Sequence, residues 1–324
     1  NQWEKNMSTS QSSLPSTVRI ATRKSKLALW QAEHVAHLIQ TKLGLKTELI
    51  KVVTEGDRTQ SAGIALSKIG GKGLFLKEIE DTMLRGEADI AVHSMKDVPS
   101  DMIEELTLAA LLERENPSDA LVGVTSIDQL KQGAVVGTSS LRRHAQILAA
   151  RPDLQIKTIR GNVDTRLAKL DAGEYDATIL ATAGLKRLKL NDRIDLEIPK
   201  EVMLPAVAQG CVGIQCRTQD TELRKALLTL QHTETALVIT AERQCNEALG
   251  GSCHAPIAVH GTLNGSDMSL EGMVGNLEGV LCRKTVTGTV TSADEAKALG
   301  LKLSEALFAS GAKEILASHL ANNP

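Results

Sequence analysis

The segment Thr138-Ser139-Ser140-Leu141-Arg142-Arg143 places two arginines in the first turn of a predicted helix. The macrodipole disfavours each cation there by ~0.3–1 kcal/mol. An anion bound at that helix start offsets the penalty, because backbone N–H groups, hydroxyls and guanidinium forks converge on it. The same grammar recurs at Arg160-Gly161-Asn162-Val163-Asp164-Thr165-Arg166, at Gly184-Leu185-Lys186-Arg187 and at Arg23-Lys24-Ser25. The recurrence points to a ligand rich in carboxylates or phosphates, with solvated surface charge as the competing reading of any single arginine. If neither Arg142 nor Arg143 meets an acid inside the protein, removing either should leave the fold unchanged or ~0.3–1 kcal/mol more stable.

Two further stretches could carry chemistry. Asp89-Ile90-Ala91-Val92-His93-Ser94-Met95-Lys96-Asp97 ends an apolar strand in a polar cluster, and open α/β sheets bind ligands beyond the carboxyl ends of their strands. Asp97 is thus placed to face a cleft, against the plainer reading of a turn aspartate beside Lys96. His93 reads as a hydrogen-bonded residue of the strand end. Gly250-Gly251-Ser252-Cys253-His254 sets a thiol in a glycine-rich loop after a long helix, where it can act as a nucleophile. Cys211 and Cys216 suit an apolar strand instead. Ile69-Gly70-Gly71-Lys72-Gly73 imitates a phosphate loop, but Gly73 stands where a magnesium-binding Ser or Thr is needed, so nucleotide hydrolysis is excluded.

The elements that must position these residues alternate. Strand 18–21, a helix begun by Ser25, strand 47–53, a helix over 74–84 and strand 89–93 read as a βαβ series, that is, a parallel sheet. Strand 134–137, helix 139–150, strand 155–159, helix 163–170 and strand 177–181 repeat it. A long helix over 235–249, strands near 257–263, 268–274 and 280–290, and a helix from Ala293 then suggest a small antiparallel α+β domain. The expected fold class is α/β: two doubly wound domains of the kind found in periplasmic binding proteins, plus that C-terminal domain. The expected boundaries are a disordered extension over 1–16, with Met7 as the natural start; domain 1 over 17–112 and 206–230; domain 2, inserted, over 113–205; and domain 3 over 231–324.

Composition narrows the function classes. Aromatics are 2% of 324 residues, too few for the stacking platforms of a single-strand nucleic-acid binder. The net charge of −2 gives no global field for a phosphate backbone. Charge is local instead: 138–193 holds seven Arg and four Lys against six acids, +5, and 233–324 is −4 with six basic and ten acidic residues. No apolar run is long enough to span a bilayer, and 1–17 lacks a signal-peptide hydrophobic stretch. An odd count of five cysteines without a C-x-x-C pair argues against a disulfide framework and against structural metal. A cytoplasmic protein is expected, with no nucleic-acid or membrane partner and no metal.

Together these stretches resemble the porphobilinogen deaminase (hydroxymethylbilane synthase) family from Arg19 to about Leu320. The resemblance is carried by Arg19-Ile20-Ala21-Thr22-Arg23 with Ser25, Gly70-Gly71-Lys72-Gly73-Leu74-Phe75, His93-Ser94-Met95-Lys96-Asp97-Val98-Pro99, Gly137-Thr138-Ser139-Ser140-Leu141-Arg142-Arg143, Arg160-Gly161-Asn162, Ala183-Gly184-Leu185-Lys186-Arg187 and the loop of Cys253. It implies a monomeric enzyme that joins four porphobilinogen units head to tail, releases ammonia each time and hydrolyses off the linear tetrapyrrole. It also implies a dipyrromethane primer held through a thioether on Cys253, and three domains with the second inserted in the first. By the same resemblance Asp97 is the catalytic carboxylate. Lys96, Ser25, Thr138, Ser139, Ser140, Arg142 and Arg143 hold the cofactor, and Arg23, Arg160, Arg166 and Arg187 hold substrate carboxylates. Ser252 and His254 flank the cysteine where the family more often has Gly and Gln, which leaves the loop's environment open.

The chemistry makes these types intelligible. Loss of ammonia from an aminomethylpyrrole leaves an electron-poor azafulvene whose positive charge is shared with the ring N–H, so a fixed carboxylate lowers the barrier. Each pyrrole adds two carboxylates, which arginine forks suit. Two other readings stand beside this one. A two-lobed anion receptor would use the same helix starts but has no need of Cys253, and a cysteine-dependent acyl transferase would need a base beside that thiol.

Overall fold

The computed structural model describes residues 13–61, 73, 75–251 and 255–323. Most of the expected N-terminal extension, the glycines at 70 and 71 with Lys72, and Ser252, Cys253 and His254 lie outside the described residues. The described chain forms two compact units, one of residues up to Glu113 with Cys211–Thr233, the other of Arg114–Gly210 with Glu234 onward.

In the first unit, strands β1 (Thr17–Thr22), β2 (Lys46–Lys51), β3 (Ile90–Ser94), β4 (Leu106–Leu111) and β10 (Val212–Arg217) form a sheet in the order β2-β1-β3-β10-β4. β1 runs parallel to β2 and β3, whereas β10 is antiparallel to β3 and β4. The sheet is therefore mixed, a correction to the parallel reading, because β10 is contributed by a distant return of the chain rather than by another βα crossover. Helix α1 (Lys26–Leu38) starts at Ser25, whose hydroxyl accepts from the Ala28 N–H. Its Ala32, Val35 and Ala36, continued by Ile39, recur at helical spacing and are buried against Val18, Ile20, Ile90 and Val92. Burial of one such aliphatic side chain is worth about 1.5–3 kcal/mol. Short helix α2 (Glu55–Ser61) and helix α3 (Lys77–Leu84) follow β2. The second of these begins later than the expected 74.

The second unit carries two sheets. Strands β5 (Asp119–Val122), β6 (Val135–Gly137), β7 (Gln155–Lys157), β8 (Ala177–Ala181) and β9 (Leu196–Glu197) order as β7-β6-β8-β5-β9, with β6 parallel to β7 and β8 and β5 antiparallel to β8. This repeats the first sheet's plan: three parallel strands, then a reversed one. Helices α4 (Leu141–Ala150), α5 (Val163–Asp171) and α6 (Thr182–Arg187) follow β6, β7 and β8. α7 (Thr221–Leu228) belongs to the first unit. The remainder is the antiparallel meander β11 (Ile257–Asn264), β12 (Asp267–Gly275) and β13 (Leu281–Thr289), packed with α8 (Thr233–Ala248), α9 (Ala293–Ala309) and α10 (Ala312–Asn322). Gly300 permits the close approach of α9 to α8, since a Cβ there would lie 2.5 Å from the Ala241 carbonyl oxygen.

Candidate functional site

The first unit presents Asp97 beyond the end of its central strand. β3 is buried through His93, and the chain then turns through a single 3-10 turn, Met95–Asp97. Met95 anchors that turn: its side chain is buried and its N–H donates to the Cys211 carbonyl at 2.9 Å. Lys96 and Asp97 are left exposed. Among the described residues none donates a hydrogen bond to the Asp97 carboxylate, so the arrangement leaves an acceptor at the C-terminal end of a parallel strand, where α/β sheets bind ligands.

Arg23 and Ser25 are differently employed. Arg23 donates to Asp57 on α2 through Nη2 at 2.6 Å and Nε at 3.2 Å, and its guanidinium lies 3.8 Å from the Phe75 ring centroid. Although burial opposes ionisation of Asp57, the hydrogen bonds from Arg23 and Thr54 hold its carboxyl below the usual range. Ser25 caps α1, as stated. Neither partner of Arg23 was visible in the spacing.

In the second unit the hydroxyls of the Thr138-Ser139-Ser140 motif serve the local backbone. Thr138 Oγ1 accepts from the Ser140 N–H at 3.1 Å, Ser139 Oγ donates to the Ile159 carbonyl, and Ser140 caps α4 by accepting from the Arg143 N–H at 3.3 Å. Arg142 and Arg143, each 6% exposed, converge on Asp119, which is fully buried at the start of β5. Arg142 donates to both Asp119 oxygens at 2.7 and 3.1 Å and to the Leu204 carbonyl at 2.8 Å. Arg143 donates through Nε to Asp119 at 2.9 Å and through Nη1 to the Ile179 carbonyl at 3.0 Å. Gln209 adds a bond to the same carboxylate at 3.2 Å. Burial alone would raise the Asp119 pKa, but the two guanidiniums hold it far below the carboxylate range. The condition behind the stability expectation therefore fails. An internal acid, not an external anion, offsets these first-turn arginines, and removing one of them leaves a buried charge short of its partner. The clue was an aspartate opening the apolar run Asp119-Ala120-Leu121-Val122, since a charge in a buried strand must be paired.

At the start of α5, where Asp164 stands in the first turn, neither Arg160 nor Arg166 forms an ion pair with an acid among the described residues. Gly161 takes φ +119°, a left-handed value that places the next residue, Asn162, to cap the helix by accepting from the Thr165 N–H at 2.9 Å. Arg166 donates through Nε to the Gly161 carbonyl at 2.9 Å. Its guanidinium is pushed down to about 10, first by burial and then by the charges of Arg143 and Arg160. Arg160 has a buried Nη1 with no hydrogen-bond partner among the described residues. Arg143, Arg160 and Arg166 thus gather three cations within electrostatic reach of one another. A cation cluster with an unsatisfied buried donor fits an anionic group with several carboxylates, such as a dipyrromethane or a pyrrole carrying acid side chains. Arg187, further along, donates to the Gly210 carbonyl at 2.9 Å.

A family model described as the porphobilinogen deaminase dipyrromethane cofactor binding domain matches residues 18–225, and one for the porphobilinogen deaminase C-terminal domain matches 236–309. Among solved structures the chain is similar to the periplasmic VFT2 domain of BvgS from Bordetella pertussis, at 17% identity over 71% of this chain and 89% of that one, TM-score 0.40. It is also similar to the methionine-binding protein MetQ, at 12% identity over 67% and 90%, TM-score 0.41. A periplasmic substrate-binding protein of an ABC transporter from Coxiella burnetii matches at 14% over 68% and 94%, TM-score 0.40.

Proposed function

Because the chain belongs to the porphobilinogen deaminase family, its activity is that of the hydroxymethylbilane synthase transferase of tetrapyrrole biosynthesis, and we propose that Asp97, Arg160 and Arg166 carry its chemistry. The enzyme takes porphobilinogen as substrate and uses a dipyrromethane cofactor. That cofactor, when bound, would supply the pyrrole carbon to which the first incoming unit is joined.

The roles follow from the side chains. As the substrate's aminomethyl C–N bond breaks, ammonia leaves with the bonding pair and the pyrrole nitrogen donates into the ring, so its N–H becomes strongly acidic. Asp97 accepts that N–H and opposes the developing positive charge without having to reorganise. Lys96, on the same turn, is assigned to a cofactor carboxylate. Arg160 and Arg166 fork onto acetate and propionate groups, and Arg23 and Arg187 are assigned to substrate carboxylates. Arg143, whose contacts to Asp119 and Ile179 do not use every guanidinium donor, adds to the cluster from the cofactor side. Arg142, Ser25, Thr138, Ser139 and Ser140 are assigned to the cofactor region as residues that shape the backbone there. Cys253 is assigned as the thioether attachment, since its thiolate is a soft nucleophile suited to an electron-poor carbon.

The observation that carries this reading is the unpartnered, buried Nη1 of Arg160 beside the desolvated Arg166. The finer proposals are a cytoplasmic monomer with no nucleic-acid or membrane partner, and three domains over 17–112 with 206–230, 113–205 and 231–324. Support comes from the net charge of −2, the four described cysteines being thiols, and the three separate sheets. No helix of the described residues is long and apolar enough to cross a membrane. Intact mass spectrometry tests the attachment. The purified chain should carry the added mass of two pyrrole units, and Cys253→Ser should lack both adduct and activity; an adduct retained on that variant overturns the assignment.

A further inference from the structure

A hydrogen-bonded chain joins α3, β10 and β3 of the first unit. Gln215 on β10 is fully buried, and its Nε2 donates to Glu80 Oε2 on α3 at 2.8 Å. Its Oε1 is thereby turned to His93 Nε2 on β3, also at 2.8 Å. An amide oxygen can only accept, so His93 Nε2 must carry a proton, and in the neutral ring Nδ1 is bare. His93 is 8% exposed and lies four residues before Asp97, at the end of the same strand.

We propose that Gln215 is a positioning residue for the reaction: its amide, oriented by Glu80, fixes the Nε2–H tautomer of the buried His93, so that a neutral ring and no imidazolium stands before Asp97. The proposal rests on Asp97 being the catalytic carboxylate. Burial disfavours the imidazolium, while the hydrogen bond to Gln215 and the charge of Asp97 act in the opposite sense, and burial prevails. Glu80, at the other end of the chain, is pushed toward its neutral form by burial and Asp81. An uncharged amide at 215 favours the imidazolium too weakly to offset burial. A carboxylate in its place would stabilise the imidazolium directly.

The experiment is nitrogen-15 NMR of the histidine side chains of the full chain between pH 6 and 8, together with steady-state kinetics. His93 in the native protein should be neutral and protonated at Nε2 throughout. Gln215→Glu, which keeps the side chain's size, should make it cationic, lower kcat at pH 7 by roughly 10-fold while leaving KM within about twofold, less than the loss of Asp97 itself, and add an acid limb to the pH profile. That limb should vanish in Gln215→Glu combined with His93→Gln. An Nδ1–H tautomer or an imidazolium in the native protein overturns the proposal whether or not the variants fold. So does an unchanged profile in folded Gln215→Glu with His93 cationic. Near-normal turnover of Asp97→Asn with the expected tautomer present would instead overturn the reading of Asp97, and the positioning role with it.

Discussion

The starts of α4 and α5 look alike in sequence and are solved in opposite ways. Both bring arginines and a capping side chain to a helix N-terminus. At α4 the arginines face the buried carboxylate of Asp119 and are almost fully enclosed. At α5, Arg160 and Arg166 lie within electrostatic reach of each other and of Arg143, and neither of the two is ion-paired to a carboxylate among the described residues. The difference teaches that a cation at the positive end of a helix does not by itself announce a ligand. What matters is whether the fold already holds the counter-charge. The first pair is chiefly architecture, and the second is the pair we propose as an anion site.

The strongest way to break this comparison is Asp119→Ala. It strands two buried guanidiniums and should cost about 3–5 kcal/mol of stability, read as a drop in denaturation midpoint at pH 7. Because the folded carboxyl is held below its unfolded value, its contribution is present above the ordinary carboxylate range and lost as pH falls through the folded pKa. The deficit of the variant should accordingly shrink in strong acid. A variant as stable as the native chain at pH 7 would deny the pairing its structural weight.

Next in size is Asp97→Asn, which should lower turnover ~10²- to 10³-fold while stability stays within about 0.5 kcal/mol. Parallel stopped kinetics and thermal unfolding separate the two, and near-normal turnover would reduce Asp97 to a turn residue. Smallest is the stability effect of Arg23→Leu. Its pair with Asp57 is about a quarter exposed on each side, so after solvent screening the ion pair is worth only about 0–1 kcal/mol. A much larger loss of melting temperature would move Arg23 to the architectural side with Arg142.

The strands, the caps and the turn bearing Asp97 were legible in the sequence because periodicity and capping chemistry are local. β1, α1 from Ser25, β3 and the meander all stand close to where the pattern puts them. The partnerships were not legible. Asp119 meets Arg142 across 23 residues and Gln209 across 90, and Glu80, Gln215 and His93 join three separate elements. Such contacts depend on strand order, and the return of β10 between β3 and β4 is a property of the sheet rather than of any window of residues. Glu242 is the extreme case. It is wholly buried on α8, paired with Arg114 at 2.6 Å and accepting from the Ala208 N–H at 2.8 Å, yet on the helix it reads as one more acid.

The central claim, that Arg160 and Arg166 hold ligand carboxylates while Arg142 holds the fold, is tested most directly by a paired measurement on Arg160→Leu, Arg166→Leu and Arg142→Leu. Thermal unfolding of primer-free protein is set beside porphobilinogen binding and primer incorporation for each. Arg160→Leu and Arg166→Leu should melt no lower than the native chain yet weaken binding by about 2–5 kcal/mol, roughly 30- to 5,000-fold, whereas Arg142→Leu should lose stability first. Unimpaired binding and incorporation in the α5 variants, or a loss of function in them that merely tracks unfolding, would contradict the account.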